Sequence, residues 1–328
     1  MRNIVKKTTL VSSLVLALSA NSMYAQSFEW ISSTEGNTWQ KSKAKLQTNA
    51  AQTPILDVNG SEEGTVFKAW GTCFNELGWD ALNMLPRKEQ ETILHKLFSP
   101  EGELRFTMGR FSMNANDYAR DWYSCDEVPG DFQLKYFNIN RDKTTLIPFI
   151  KAAQQYNPNM TFWMSPWSPP SWMKINHYYS VRSDRNQNQM SPLSDVALFE
   201  GSKEKNTKVF PQQLAVNDYF IQDPRYLQTY ANYFCKFIDA YKQQGIAISM
   251  VMFQNESWSY TNYPGCAWTA EGIIRFNTEY LAPTLKKQHP EIKLYLGTIN
   301  TNRYDVIDQV LSDPRMPETI QGVGFQWE

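Results

Sequence analysis

The chain has 328 residues, of which 42% are hydrophobic and 20% charged, and its 32 Lys+Arg against 33 Asp+Glu give a formal charge of −1. That length supports one large domain or two modest ones, and the near-balanced charge supplies no field to steer the protein to nucleic acid or an acidic membrane. Three widely separated His (His95, His177, His289) and four Cys without C-x-x-C spacing speak against a metal-rich enzyme, a zinc ribbon or a thioredoxin-like site.

Arg2, Lys6 and Lys7 precede a run at 10–18 that is apolar apart from Ser12 and Ser13, and Met23-Tyr24-Ala25 follows. This pattern reads as a secretory signal peptide over 1–25, cut after Ala25, which makes the mature chain secreted or periplasmic. The apolar run is too short to span a bilayer, and no later run is longer, so no stable membrane anchor is expected. Removing 1–25 takes away three positive charges and leaves a formal charge of −4. In an oxidising space Cys73, Cys125, Cys235 and Cys266 could pair. Their spacing leaves the question open, with free buried thiols preferred.

Residues 26–64 are polar and irregular, with Trp30 and Trp39 as isolated anchors, and read as one or two strands of a flanking β-module. From 65 onward, strand-like runs at 66–74, 104–112, 160–165, 246–253, 292–299 and 320–326 alternate with helix-like runs. The strands lack polar alternation, as expected when both faces are covered. Pro86 opens a helix with Ile93, Leu94, Leu97 and Phe98 on one face, and Asp142 precedes Leu146, Ile147 and Ile150. Asp223-Pro224 is a cap-plus-Pro start; Tyr226, Tyr230, Phe234, Phe237, Ile238 and Tyr241 follow at helical spacing, and Gly245 ends the run. That stripe reads as packing against strands. Further helices are expected at 269–288 and 303–311. Six such units with right-handed crossovers suggest a (β/α)8 TIM barrel over 65–328. The competitor, a doubly wound sheet, usually carries a Gly-rich phosphate turn, and Gly71-Thr72-Cys73-Phe74-Asn75 lacks G-x-G-x-x-G. The polar, turn-rich segment 174–217 reads as a loop over the binding face.

In such a barrel the active site lies at the carboxyl ends of the strands. There the chain carries Arg110 and Asp117-Tyr118, then Ser165-Pro166-Trp167-Ser168-Pro169-Pro170-Ser171-Trp172, then Asn255-Glu256, then Gln326-Trp327-Glu328. Amide, guanidinium, carboxylate and indole groups on one rim suit a polyhydroxylated ring. Glu256 follows an apolar strand, and a carboxyl in a partly desolvated cleft has a raised pKa, which suits a general acid. Asn255 could hold a hydroxyl beside the bond being cut. The plainer alternatives are a loop cap for Asn255-Glu256, a structural ion pair for Arg110, an Asx turn for Asp117 and a packed hinge for Trp167.

Together these segments resemble glycoside hydrolase family 30, which includes glucosylceramidases and bacterial β-glycanases. The likeness covers nearly all of the mature chain. Ser165-Pro166-Trp167-Ser168-Pro169-Pro170-Ser171-Trp172-Met173-Lys174 matches the family's SPW-x-x-P-x-W-[ML]-K run. Arg110 and Asp117-Tyr118 match its R-x-P-[MI]-x-x-x-D-F segment, Asp131-Phe132-Gln133-Leu134 lies at the family's distance beyond, Asn255-Glu256 matches its N-E pair, and residues 322–327 match its sixth strand. The resemblance implies an O-glycosyl hydrolase that retains configuration. It casts Glu256 as acid/base and Arg110, Asp117, Trp167, Asn255 and Trp327 as sugar contacts. It implies no cofactor or metal, and a β-linked glucan or glucoside as substrate. Ser112 and Ser257 replace common Pro residues, and Gln326 and Glu328 replace the His and Tyr of glucosylceramidases, which points toward the β-glucanase branch at least as much. In the family the attacking Glu ends strand seven, so it is expected beyond residue 328, and strands seven and eight with most of the β-module are expected to be missing. A barrel with six of eight strands leaves open edges, so the 328-residue chain by itself is expected to be unstable and inactive. A non-catalytic carbohydrate-binding protein on the same barrel is the rival reading. Nothing in the sequence fixes an oligomeric state.

Overall fold

The structure is a computed structural model and describes residues 27–45, 66–181, 218–259, 261, 263–300 and 304–326. The expected leader, most of the long 174–217 segment, Trp327 and Glu328 lie outside the described residues. The chain divides into two compact units, 1–66 and 67–328. In the first, β1 (Ser27–Thr34) and β2 (Asn37–Lys45) form an antiparallel hairpin. Trp30 and Trp39, read as anchors, are instead 62% and 71% exposed.

The second unit is a six-stranded parallel sheet in sequential order, β3 (Gly71–Phe74), β4 (Met108–Met113), β5 (Thr161–Pro166), β6 (Ile248–Met252), β7 (Lys293–Ile299) and β8 (Val323–Phe325). Between the strands lie α1 (Glu76–Asn83), α2 (Arg87–Phe98), α3 (Leu146–Tyr156), α4 (Pro224–Gln243), α5 (Ala270–Arg275), α6 (Ala282–Gln288), α7 (Tyr304–Leu311) and the single turn α8 (Met316–Thr319). This is the strand-helix repeat of a partial TIM barrel.

The strands start later than their apolar runs suggest, for identifiable reasons. The register Gly71↔Met108 gives residues 66–70 no ladder partner, and Phe67 and Trp70 are exposed. Leu104 and Phe106 donate back to the Lys96 and Leu97 carbonyls (2.9 and 2.8 Å), satisfying orphan acceptors at the end of α2 rather than joining a strand. Ile246 donates to Tyr241 O at 3.0 Å beyond Gly245, whose φ is +69°; this left-handed stop closes α4 before β6 can begin. Asp142 is not a cap. It is fully buried ahead of α3 and accepts from Tyr123 Oη (2.6 Å) and Tyr241 Oη (2.7 Å). The run at 269–288 is continuous but widens into a π segment, Phe276–Leu281. Helix α1, absent from the sequence reading, is capped by Asn75, which accepts from Gly78 N at 2.7 Å.

Burial on both sheet faces fixes which residues reach the rim. Phe74, Phe111 and Met164 align across β3–β5 and are fully buried. Phe111 stacks on Tyr241 of α4 at 4.8 Å, so the aromatic stripe of α4 packs against strands. Gly109 lies beside this layer, where a Cβ would come within 2.5 Å of the Phe74 ring and 2.9 Å of Phe162. Because successive strand residues point to opposite faces, the intervening row, Cys73, Arg110 and Trp163, faces away from the helices. All four cysteines are free; Cys125, Cys235 and Cys266 are buried, and Cys73 is half-buried. Among the described residues no helix is long and apolar enough to cross a membrane, and no cluster of metal-ligating side chains occurs.

Candidate active site

The site is built at the carboxyl ends of β4–β8. Arg110 projects from β4 across the opening. Its guanidinium lies 4.8 Å from the Trp163 ring centroid and 4.4 Å from that of Trp167, a double stacking worth about 1–2 kcal/mol in a desolvated setting. Nη2 donates to Ser165 Oγ (2.9 Å) and to Asn255 Oδ1 (2.7 Å). Burial lowers the Arg110 pKa, while Cys73, Asp117 and Glu256 oppose that shift. Arginine remains charged at any working pH, so the rim holds this fixed cation. Both acceptors of Nη2 are neutral oxygens, so the plainer reading of Arg110, a structural ion pair, does not describe these contacts.

Asp117 lies in the loop after β4. Burial raises its carboxyl pKa, and its own backbone N–H, the Arg110 charge and the Trp167 indole pull the other way. Trp167 is 6% exposed. It stacks on Arg110 and orients Asp117, so it is not an open platform. Its carbonyl accepts from Gln254 Nε2 at 2.6 Å, which ties the loop after β5 to the end of β6. The same loop ends in Lys174, fully buried, whose Nζ donates to Gly265 O (2.6 Å), Tyr179 O (2.7 Å) and Ser180 O (3.3 Å). Burial lowers its pKa to about 8.

Asn255 and Glu256 follow β6. Asn255 N donates to Pro166 O (2.7 Å), and its Oδ1 accepts from Arg110 and from Thr298 Oγ1 (2.9 Å). The amide is 2% exposed and acts as the node joining β4, β6 and β7. Glu256 is 7% exposed and adopts φ +50°, a left-handed conformation that costs a non-glycine residue about 1–2 kcal/mol. Two backbone bonds hold it there: its N–H donates to Thr298 O (2.9 Å), and its carbonyl accepts from Ser259 N (3.0 Å). Strain of this kind is retained where surrounding structure over-determines it, commonly at functional sites.

Two partners of the Glu256 carboxyl were not assigned a role from sequence. Tyr263 Oη donates to Oε2 at 2.6 Å. In one orientation the Gln326 amide nitrogen donates to Asn255 Oδ1 (2.8 Å); with the amide turned over, the assignment its neighbours favour, its nitrogen lies 3.2 Å from Glu256 Oε1 and its oxygen 3.1 Å from Arg110 Nη1. The sequence placed Gln326 on the rim and marked it as a departure from glucosylceramidases, without giving its partner, and did not single out Tyr263. Thus Arg110, Asp117, Trp167, Asn255 and Glu256 come together on one rim, while Trp327 lies outside the described residues.

A parallel βα sheet with buried carboxylate, guanidinium, amide and indole groups at its strand ends is a partial TIM-barrel architecture. Residues 67–188 match the model described as Glycosyl hydrolase family 30 TIM-barrel domain. The chain is 25% identical over 308 residues to the lysosomal acid glucosylceramidase of Mus musculus, covering 90% of this chain and 52% of the relative. It is 24% identical over 255 residues to the endo-1,6-beta-D-glucanase neg1 of Aspergillus fumigatus, covering 76% and 47%. The crystal structure of SrfJ from Salmonella typhimurium superposes with a TM-score of 0.71 at 19% identity, covering 92% of this chain and 60% of that one. The chain spans about half the length of the curated relatives it matches.

Proposed function

We propose that the protein is a retaining β-glycosidase acting on β-glucosidic bonds of a glucan or glucoside, with Glu256 as acid/base. The observation that carries this reading is the Glu256 carboxyl, desolvated and held at the strand-end rim within the Arg110–Asn255–Asp117 network. In the first step the Glu256 proton passes to the glycosidic oxygen as the bond to the anomeric carbon breaks. A second carboxylate, about 5–5.5 Å away in retaining enzymes, attacks that carbon. In the second step the Glu256 carboxylate takes a proton from water, which displaces the enzyme carboxylate and regenerates both groups. In this reading the attacking Glu belongs to a seventh strand C-terminal to residue 328. Asn255 and Asp117 offer polar groups to ring hydroxyls, and Arg110 holds Asn255 in place. The names of the relatives support two substrate types, a glucosylceramide and a β-1,6-glucan. The leader at 1–25 supports export.

The test has two arms. The gene is read past codon 328, where a Glu ending an apolar strand is expected. The polypeptide so encoded is then assayed on an aryl β-glucoside and on β-1,6-linked gluco-oligosaccharides, with hydrolysis and net retention expected. Binding of these sugars without turnover would overturn the enzymatic reading in favour of a carbohydrate-binding barrel.

A further inference from the structure

We infer that Tyr263 and Gln326 are positioning residues that hold the Glu256 carboxyl between two donors and set the pH at which it releases its proton; the catalytic meaning of this rests on the acid/base reading above. Each carboxyl oxygen has its own donor. Tyr263 Oη meets Oε2 at 2.6 Å, and the Gln326 amide nitrogen meets Oε1 at 3.2 Å. The two donors arrive from opposite sides, one from the loop after β6 and one from the end of β8, so the carboxyl is fixed in rotation as well as position. Donors to both oxygens favour the carboxylate, the form that must act as base in the second step.

Neither donor titrates in the working range. The amide has no proton to lose, and burial with the neighbouring Glu256 pushes the Tyr263 hydroxyl well above its ordinary value. Among the described residues, Arg110 from β4 and Tyr263 itself interact electrostatically with the carboxyl, and Asp117 from the loop after β4 acts on both of them. Gln326 also touches Arg110, so it transmits the fixed cation toward Glu256 through a dipole without a second ionisable group. The departure of Gln326 from the histidine of glucosylceramidases therefore has a consequence: a histidine here would add a charge change near neutral pH, whereas the amide adds none.

The Tyr263 hydroxyl is placed by structure outside the site. Thr261 Oγ1 donates to Tyr263 O (2.9 Å), Gly265 N donates to Tyr179 O (3.0 Å), and the buried Lys174 ammonium holds Gly265 O. The terminal lysine of the long Ser165–Lys174 motif thus acts on the acid through the loop that carries Tyr263.

The experiment measures the Glu256 midpoint in the polypeptide encoded past codon 328 by 13C-carboxyl NMR on labelled glutamate, with the resonance assigned by its loss in Glu256→Gln. Tyr263→Phe, which removes one oxygen, is expected to raise the midpoint by about one pH unit, and Gln326→Leu to raise it by a similar or smaller amount. Gln326→His, which restores an N–H donor, is expected to bring the Gln326→Leu midpoint back toward wild type at pH values where the imidazole is neutral. Unchanged midpoints in both Tyr263→Phe and Gln326→Leu, with native circular dichroism, would overturn the inference, as would His and Leu behaving alike. A shifted midpoint in a protein that never cleaves a glucoside would leave this assignment standing and sink the glycosidase reading, so the two fail separately.

Discussion

Replacing Asp142 by Asn tests whether a buried carboxyl clamps the site loop in a pH-dependent way. Asp142 is fully buried and accepts from Tyr123, in the loop that also carries Asp117, and from Tyr241 of α4. Burial is the largest influence and raises its pKa from 3.8 to about 6. The two tyrosine donors and Arg141 oppose the rise, and Glu76 adds to it. The folded carboxyl therefore binds its proton more tightly than the unfolded one. Between the two pKa values the native state carries more protons, so stability falls as pH rises. The penalty is absent below about pH 4 and complete above about pH 6, and two pH units correspond to about 3 kcal/mol. The asparagine side chain has the same shape and no charge to titrate. Urea unfolding of both proteins, followed by Trp fluorescence at several pH values, isolates this one group because all other carboxyls cancel. Relative to wild type, Asp142→Asn is expected to gain about 2 kcal/mol between pH 4.5 and pH 7.5. A stability difference that stays flat across that range would refute the reasoning.

Lys174→Met should cost about 2–4 kcal/mol, because it leaves the Gly265, Tyr179 and Ser180 carbonyls short of a donor; denaturant midpoints measure it. Since the folded Lys174 pKa is lowered to about 8, the unfolded chain holds more protons between about pH 8 and pH 10.5. Wild-type stability should therefore rise over that window relative to Lys174→Met. Gly109→Ala should cost about 1–3 kcal/mol through overpacking against Phe74 and Phe162, read by thermal unfolding. Arg110→Lys keeps the charge but loses the planar fork and the stacking on Trp163 and Trp167. It is expected to weaken gluco-oligosaccharide binding at least tenfold by titration calorimetry and to lower the thermal midpoint by a few degrees.

The six strands were legible because their apolar runs are too short for helices and lack polar alternation, which in a parallel sheet reflects helices on one face and barrel interior on the other. Their starts were not legible. Composition cannot show that Leu104 and Phe106 are taken up by the carbonyls ending α2, or that the β3–β4 register begins only at Gly71. Helix α1 was missed although Asn75-Glu76 is a cap followed by an acidic residue, because its eight residues around Gly78 carry too little periodicity. In the site, the residue types at strand ends identified the rim, but not who touches whom. The Arg110–Asn255 bond spans 145 residues and depends on strand register. Tyr263 was invisible because its hydroxyl is aimed by a loop that Lys174 fixes from another βα unit. Trp167, cast as a sugar contact with a packed hinge as the plainer reading, has one face occupied by Arg110, a stacking set by the fold rather than by the Pro-rich motif.

The most direct test of the central claim compares Glu256→Gln with wild type, in the polypeptide continued through the seventh strand, on two aryl β-glucosides that differ only in leaving group. If Glu256 is the proton donor, bond cleavage on phenyl β-glucoside falls by about a hundredfold to ten-thousandfold, while the first-step burst on 2,4-dinitrophenyl β-glucoside, whose leaving group needs no proton, is nearly preserved. Equal losses on both substrates, or none on either, would contradict the role assigned to Glu256.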